Sequence, residues 1–202
     1  MKWVIPEERS AFAKAKAMIE RMAGNVVLCG FMGCGKSTVG KRVAKLMKRS
    51  FCDLDQYIEQ KAGMTISEIF AEHGEAAFRQ MEKEAVKEIS KAGDMVVACG
   101  GGTVLRQENV DAFHENGSLI LLLDVPLHVL QERLKTDTTR PLLQRPNRNK
   151  VIADLYRQRI DKYRRAADVT VRATAPFWIV AKKVAAIGAR LLENPSENAE
   201  KT

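Results

Sequence analysis

Apolar residues recur along the chain in two rhythms. Between residues 7 and 22 they fall at Ala11, Phe12, Ala15, Met18, Ile19 and Met22, the three-and-four spacing of one helix face. Gly24 and Asn25 punctuate that stripe. Val26–Cys29 follows as a short unbroken apolar run, the pattern of a buried strand. The alternation then continues, with a helix predicted over Ser37–Met47, a strand over Ser50–Asp53 and a helix from about Asp55 to Lys61. Thr65 and Glu68 have the spacing of a capping box and predict a helix start. Gly74 interrupts that helix, and a further segment runs from about Glu75 to Ser90. Met95–Cys99 reads as a third strand, ended by Gly100, Gly101 and Gly102. Val104–Phe113 reads as a helix and Leu119–Leu123 as a fourth strand. Pro126 stands where a helix can begin without needing its N–H. Residues 136–149 are polar, contain Pro141 and Pro146, and read as a loop. A helix over Val151–Arg165, a fifth strand over Val169–Val171 and a helix over Pro176–Leu192 complete the order.

Short apolar strands alternating with helices imply βαβ units and a parallel sheet, an α/β protein. Such sheets bind ligands outside the carboxyl ends of their strands. The expected organisation is a helical extension over 1–24, one domain over 25–192 and a polar tail over 193–202.

The 202 residues suit one domain with short appendages. No apolar run reaches the roughly 18 residues of a membrane helix, and the first 25 residues match neither a secretory signal nor a transit peptide. Cys29, Cys34, Cys52 and Cys99 stand singly, without ligand spacing, and read as reduced thiols of a cytoplasmic protein. The net charge of +8 is matched by the segment Arg133–Arg172 alone, which holds twelve basic and four acidic residues. Such a patch attracts nucleic acid, a membrane surface or small anions. Its sparse aromatics, Tyr156 and Tyr163, argue against single-strand stacking.

The segment GFMGCGKS at Gly30–Ser37 fits G-x-x-x-x-G-K-[ST] and lies between a predicted strand and a predicted helix, the context the motif requires. Its glycines let successive N–H groups turn inward around a polyphosphate, and the helix N-terminus adds attraction. Lys36 can reach the β- and γ-phosphates and the Ser37 hydroxyl can ligate Mg²⁺. Asn149 and Lys150 begin a guanine-reading N-K-x-D, but Ile152 stands in place of its aspartate, which speaks against a signalling GTPase.

Two strand ends offer a carboxylate for Mg²⁺. Asp124 closes the apolar run Leu119–Leu123 and has the more usual form; Asp53 and Asp55 close the other. We favour Asp53 for the metal and leave Asp55 for the acceptor. Asp55 could equally cap the helix after it, and Asp124 the helix at Pro126. Cys34 is either a reactive thiol at a helix N-terminus or a small filler.

Together these segments resemble the shikimate kinases, a branch of the P-loop proteins, over roughly residues 25–190. The resemblance rests on Gly30–Thr38, Phe51–Asp55, Gly74–Glu75 with Phe78–Arg79, Gly100–Gly102, Arg140–Leu143, and Arg159 with Tyr163. The run after Arg159 differs from the family's Pro-Leu-Tyr. The resemblance implies a three-layer fold, a five-stranded sheet in the order 2-3-1-4-5, and a mobile lid at about 136–149.

It also implies an activity, ATP-dependent phosphorylation of the shikimate 3-hydroxyl with Mg²⁺. ATP would be held by Gly33, Cys34, Gly35, Lys36, Ser37, Thr38, Arg133 and Arg140, with Arg133 near the adenine and Arg140 on the lid. Shikimate would be held by Asp55, Arg79, Gly100, Gly101, Gly102 and Arg159, and Mg²⁺ by Ser37 and Asp53. Lys36, Asp55 and Arg140 would carry catalysis. Arginines suit the acceptor's carboxylate because their planar fork binds it bidentately. The expected partners are ATP and shikimate, with no nucleic acid or membrane, acting on a monomer. Rival readings are a kinase for gluconate or a nucleoside monophosphate, a nucleotide binder without turnover, and a nucleic-acid binder.

Overall fold

The computed structural model describes residues 24–136 and 147–193. The expected helix at 7–22, the segment carrying Arg140 and Pro141, and the tail beyond Glu193 lie outside the described residues.

Five short strands, β1 (Val26–Cys29), β2 (Ser50–Asp53), β3 (Met95–Ala98), β4 (Leu119–Asp124) and β5 (Val169–Arg172), pair in parallel in the order β2-β3-β1-β4-β5. β1 is central, with Val26 opposite Val96 on one side and Leu119 on the other. Every residue of β1 and the first five of β4 are buried, so helices cover both faces of the sheet. The edge strands β2 and β5 bury less, and their exposed Ser50 and Arg172 face water.

The helices are α1 (Lys36–Met47), α2 (Leu54–Ala62), α3 (Ile66–Ala92), α4 (Gln107–Glu115), α5 (Leu127–Arg133), α6 (Arg148–Ala166) and α7 (Phe177–Glu193). Thr65 caps α3 as its spacing predicts: its Oγ1 accepts from Glu68 N at 3.3 Å, and Glu68 accepts from Thr65 N at 2.7 Å. Gly74 breaks the helical path of α3 with φ 77° and ψ 173°, a conformation that glycine adopts without a Cβ clash. The part beyond it re-aims its side chains independently of the first turns.

Three boundaries differ from the sequence expectation. The helix expected over Val104–Phe113 splits into a 3₁₀ turn at Thr103–Leu105 and α4, because Arg106 is extended between them. α6 begins at Arg148, inside the expected loop, with Asn147 in the left-handed region before it. α7 includes Glu193, which the sequence assigns to the tail.

At the amino ends of the strands, Asn25 is fully buried and acts as a clip. Its Nδ2 donates to Ile89 O at 3.0 Å, its Oδ1 accepts from Met95 N at 3.0 Å, and its carbonyl accepts from Leu119 N at 2.8 Å. One side chain and its backbone thus tie β1 to the starts of β3 and β4. The carboxyl ends, above Cys29, Asp53 and Ala98, are left open for chemistry.

Candidate active site

The loop Gly30–Gly35 leaves β1 and turns directly into α1. Gly35 takes the position before the helix with φ 97°, a left-handed value that side-chain-bearing residues rarely adopt. The Lys36 ammonium donates to Gly30 O at 2.9 Å and to Phe31 O at 3.2 Å, so it lies along the loop it serves. Gly33, Gly35, Lys36, Ser37 and Thr38 line a cleft of about 410 Å³. Cys34 does not. Its side chain is buried, so it fills space, and its N–H donates to Phe31 O at 3.2 Å within the loop.

Arg133, at the end of α5, lies behind the loop. Its guanidinium donates to Gly33 O at 3.4 Å, to Cys34 O at 3.5 Å and to Ala173 O at 3.4 Å. It therefore joins the phosphate loop to the connection between β5 and α7.

The strand-end carboxylates lie in different surroundings. Ser37 Oγ donates to Asp53 Oδ2 at 2.6 Å, which places hydroxyl and carboxylate together at the mouth of the loop. Asp124 stands on the other side of β1, in register with Arg172. Neither capping alternative holds. α5 is preceded by Pro126 and α2 by Asp53, both without a side-chain cap bond, and Asp55 lies in the first turn of α2.

From that turn Asp55 points into the cleft, where burial lifts its pKa from 3.8 to about 6. Asp53, Glu82 and Glu59 push in the same direction, and Lys36 opposes them. Its neighbours explain the glycine triplet. A Cβ on Gly100 would stand 2.4 Å from Asp55 Oδ1, and one on Gly102 would stand 2.5 Å from Arg79 Nη1. A side chain at either of these two positions would therefore force Asp55 or Arg79 to shift.

Arg79 is held from two sides. Its Nη1 donates to Glu82 Oε2 at 3.0 Å, and its Nε and Nη2 donate to Glu75 Oε1 at 3.2 and 3.1 Å. Glu82 is 0% exposed and also accepts from the Thr103 hydroxyl at 2.8 Å. The sequence reading missed Glu82. Its signal is the core-facing stripe Phe78, Glu82, Ala85, Val86, Ile89, in which a carboxylate occupies an apolar position. Arg159 comes from α6, which packs against the 3₁₀ turn after the glycines. It is half-buried and lines the cleft, whereas Arg157, Lys162, Arg164 and Arg165 on the same helix are exposed. Arg157 and Arg164 pair with Asp154 and Asp161. The different residues after Arg159 thus leave the helix continuous.

The cleft joins Lys36, Ser37 and Asp53 to Asp55, Arg79, Arg159 and the glycine triplet. Asp55 lines this cleft together with Lys36 of the phosphate loop and Glu82 beside Arg79. Of the residues expected in the site, Arg140 lies outside the described residues.

The family model for shikimate kinase matches residues 32–187. The chain belongs to the shikimate kinase family. A shikimate kinase of Thermodesulfovibrio yellowstonii is 46% identical over 142 residues, 70% of this chain and 82% of that protein. The solved structure of shikimate kinase from Acinetobacter baumannii in complex with shikimate has a TM-score of 0.76 at 33% identity, covering 86% of this chain and 96% of that one. A gluconokinase from Sinorhizobium meliloti shares the fold, with a TM-score of 0.54 at 19% identity. Kinship with the shikimate kinases thus extends to sequence, whereas likeness to the gluconokinase concerns the fold.

Proposed function

We propose that this cleft transfers the γ-phosphoryl group of ATP to the 3-hydroxyl of shikimate, with a defined division of labour among its residues. Arg79 and Arg159 grip the carboxylate of the acceptor, and the glycine turn lets its ring approach the backbone. Asp55 accepts a hydrogen bond from the 3-hydroxyl and takes its proton as the oxygen bonds to phosphorus and ADP departs. A pKa of about 6 suits this proton transfer, because the carboxylate is ionised at neutral pH yet more basic than an exposed aspartate. Lys36 and the loop N–H groups balance charge on the phosphates, and the family resemblance assigns Arg140, outside the described residues, to the same task. Arg133 and the backbone near Ala173 flank the adenine. The transition state of phosphoryl transfer is loose, so alignment and electrostatics supply most of the acceleration.

Ser37 and Asp53 fit Mg²⁺. Both offer hard oxygen, and they already lie 2.6 Å apart. Among the described residues no cluster of three or more His, Cys, Asp or Glu could hold a metal, which suits an ion bound mainly through substrate phosphates and water. Mg²⁺ bound there supplies charge neutralisation at the β- and γ-phosphates.

Among the described residues no helix is long and apolar enough to cross a membrane. All four cysteines are free and buried, which suits a reducing cytoplasm. Within the basic segment Arg133 and Arg148 donate to backbone carbonyls and Arg159 lines the cleft, which supports small anions as partners of these three. The cleft draws on a single chain, so a monomer suffices.

One observation carries this reading: a phosphate loop and a two-arginine anchor open into the same cleft, with a basic carboxylate lining it. The test is ADP release from ATP and Mg²⁺ with shikimate, quinate, gluconate and nucleoside monophosphates offered separately. Shikimate should be preferred by orders of magnitude. Equal or faster turnover of gluconate would overturn the assignment.

A further inference from the structure

Tyr163 is among the largest fully buried side chains of the molecule, at 1% exposure, yet it carries a hydroxyl. A buried phenol needs a partner for that group. Here the hydroxyl donates to the carbonyl of Gly101, the middle residue of the glycine turn 62 positions earlier in the chain. Arg159 lies one helical turn before Tyr163 on α6, so both project from the same face. Arg159 lines the cleft beside Gly101. The Tyr163 hydroxyl thus ties the helix that carries Arg159 to the glycine turn.

Peptide geometry adds a further constraint. No cis bond occurs among the described residues, so the Gly102 N–H points away from the Gly101 carbonyl across a trans peptide. Holding that carbonyl against Tyr163 fixes the direction of the N–H. A Cβ placed at Gly101 would meet nothing within 4 Å, so side-chain packing does not fix this peptide. The Tyr163 hydroxyl is the side-chain contact that does.

We infer that Tyr163 is a positioning residue for the acceptor, whose hydroxyl locks the Gly101–Gly102 peptide and so holds α6, with Arg159, against the glycine turn. The inference rests on the reading of the cleft given above. It deepens that reading by assigning the orientation of two acceptor-binding groups to a residue that need not touch the acceptor. The alternative is that Tyr163 serves only as a large core ring.

Tyr163→Phe separates the two, since it keeps the ring and deletes the hydroxyl. The expected result is a KM for shikimate raised roughly three- to tenfold, the effect of losing one hydrogen bond to a neutral carbonyl. The KM for ATP should stay within about twofold and the thermal midpoint should be little changed. An unchanged KM for shikimate, or equal rises for both substrates, would overturn the role. A second measurement needs no turnover: in the ligand-free protein, the NMR signals of Arg159 Nε–H and of the Gly102 amide should move in Y163F. If they stay in place, the relay does not exist. Failure of the wild-type chain to phosphorylate shikimate would count against the functional reading, and the NMR comparison would still decide the fate of the relay.

Discussion

Replacing Asp55 by Asn should make the protein more stable and inactive at once, and the gain in stability should depend on pH. The carboxylate is held at a pKa of about 6 instead of 3.8, chiefly because burial penalises its charge. Each tenfold change in proton affinity corresponds to about 1.36 kcal/mol, so ionised Asp55 costs the folded state up to about 3 kcal/mol. Partial contact with solvent reduces this, and about 1–3 kcal/mol is the expected range.

The sign follows from linkage. The folded pKa is raised, so the stability associated with protonated Asp55 is fully present below about pH 4 and is lost as pH rises through about 6. Asn never ionises and escapes the loss. The advantage of Asp55→Asn should therefore be small near pH 4, about half developed at pH 5 and flat above about pH 7. Urea unfolding of both chains at these pH values tests it. With an m-value of about 2 kcal/mol/M, the midpoints should separate by about 0.5–1.5 M at pH 8. Turnover should fall by about a hundredfold or more, because an amide cannot take the proton. Equal midpoints at pH 8, or a separation that ignores pH, would refute the claim that this carboxylate is charged against its surroundings.

Other substitutions probe the remaining parts. Arg79→Ala should raise the KM for shikimate and also destabilise the fold by about 3 kcal/mol, since it strands the buried carboxylate of Glu82; adding Glu82→Gln should recover part of the stability but not the affinity, by urea unfolding and kinetics together. Gly100→Ala puts a methyl 2.4 Å from Asp55 Oδ1 and should impair shikimate phosphorylation while nucleotide binding, followed by calorimetry, stays near normal. Asp53→Asn should raise the Mg²⁺ concentration needed for half-maximal rate, whereas Asp124→Asn should not; the opposite pattern would move the metal to the other side of β1.

Much of this arrangement was legible in the sequence because local physics dictates it. A glycine-rich turn between an apolar run and a helix has few uses other than cradling phosphate, and the buried runs of β1 and β4 mark the middle of the sheet. Strand ends then indicate where ligands bind. The side of α6 that faces the cleft was less legible. Arg157, Arg159, Lys162, Arg164 and Arg165 are alike in charge, and only the packing of α6 on the glycine turn selects Arg159. Glu82 escaped for the opposite reason. A glutamate in a helix rich in Glu and Lys reads as solvated, and its burial follows from Arg79 and Thr103, which arrive from separate positions. Tyr163 stood out only as a motif member, because its bond to Gly101 joins positions far apart in the chain. Boundaries slipped where a single backbone conformation intervened, as at Arg106 and Asn147.

The glycine turn also constrains how this cleft can change over evolution. At two of its three positions an added side chain would press on Asp55 or Arg79, so mutation there disturbs the acceptor site proposed above. Gly101 faces free space and has no left-handed φ, so a small side chain can be added without backbone strain. Drift toward slimmer acceptors therefore has one open door in this wall, and directed libraries aimed at smaller hydroxy acids should begin at that residue.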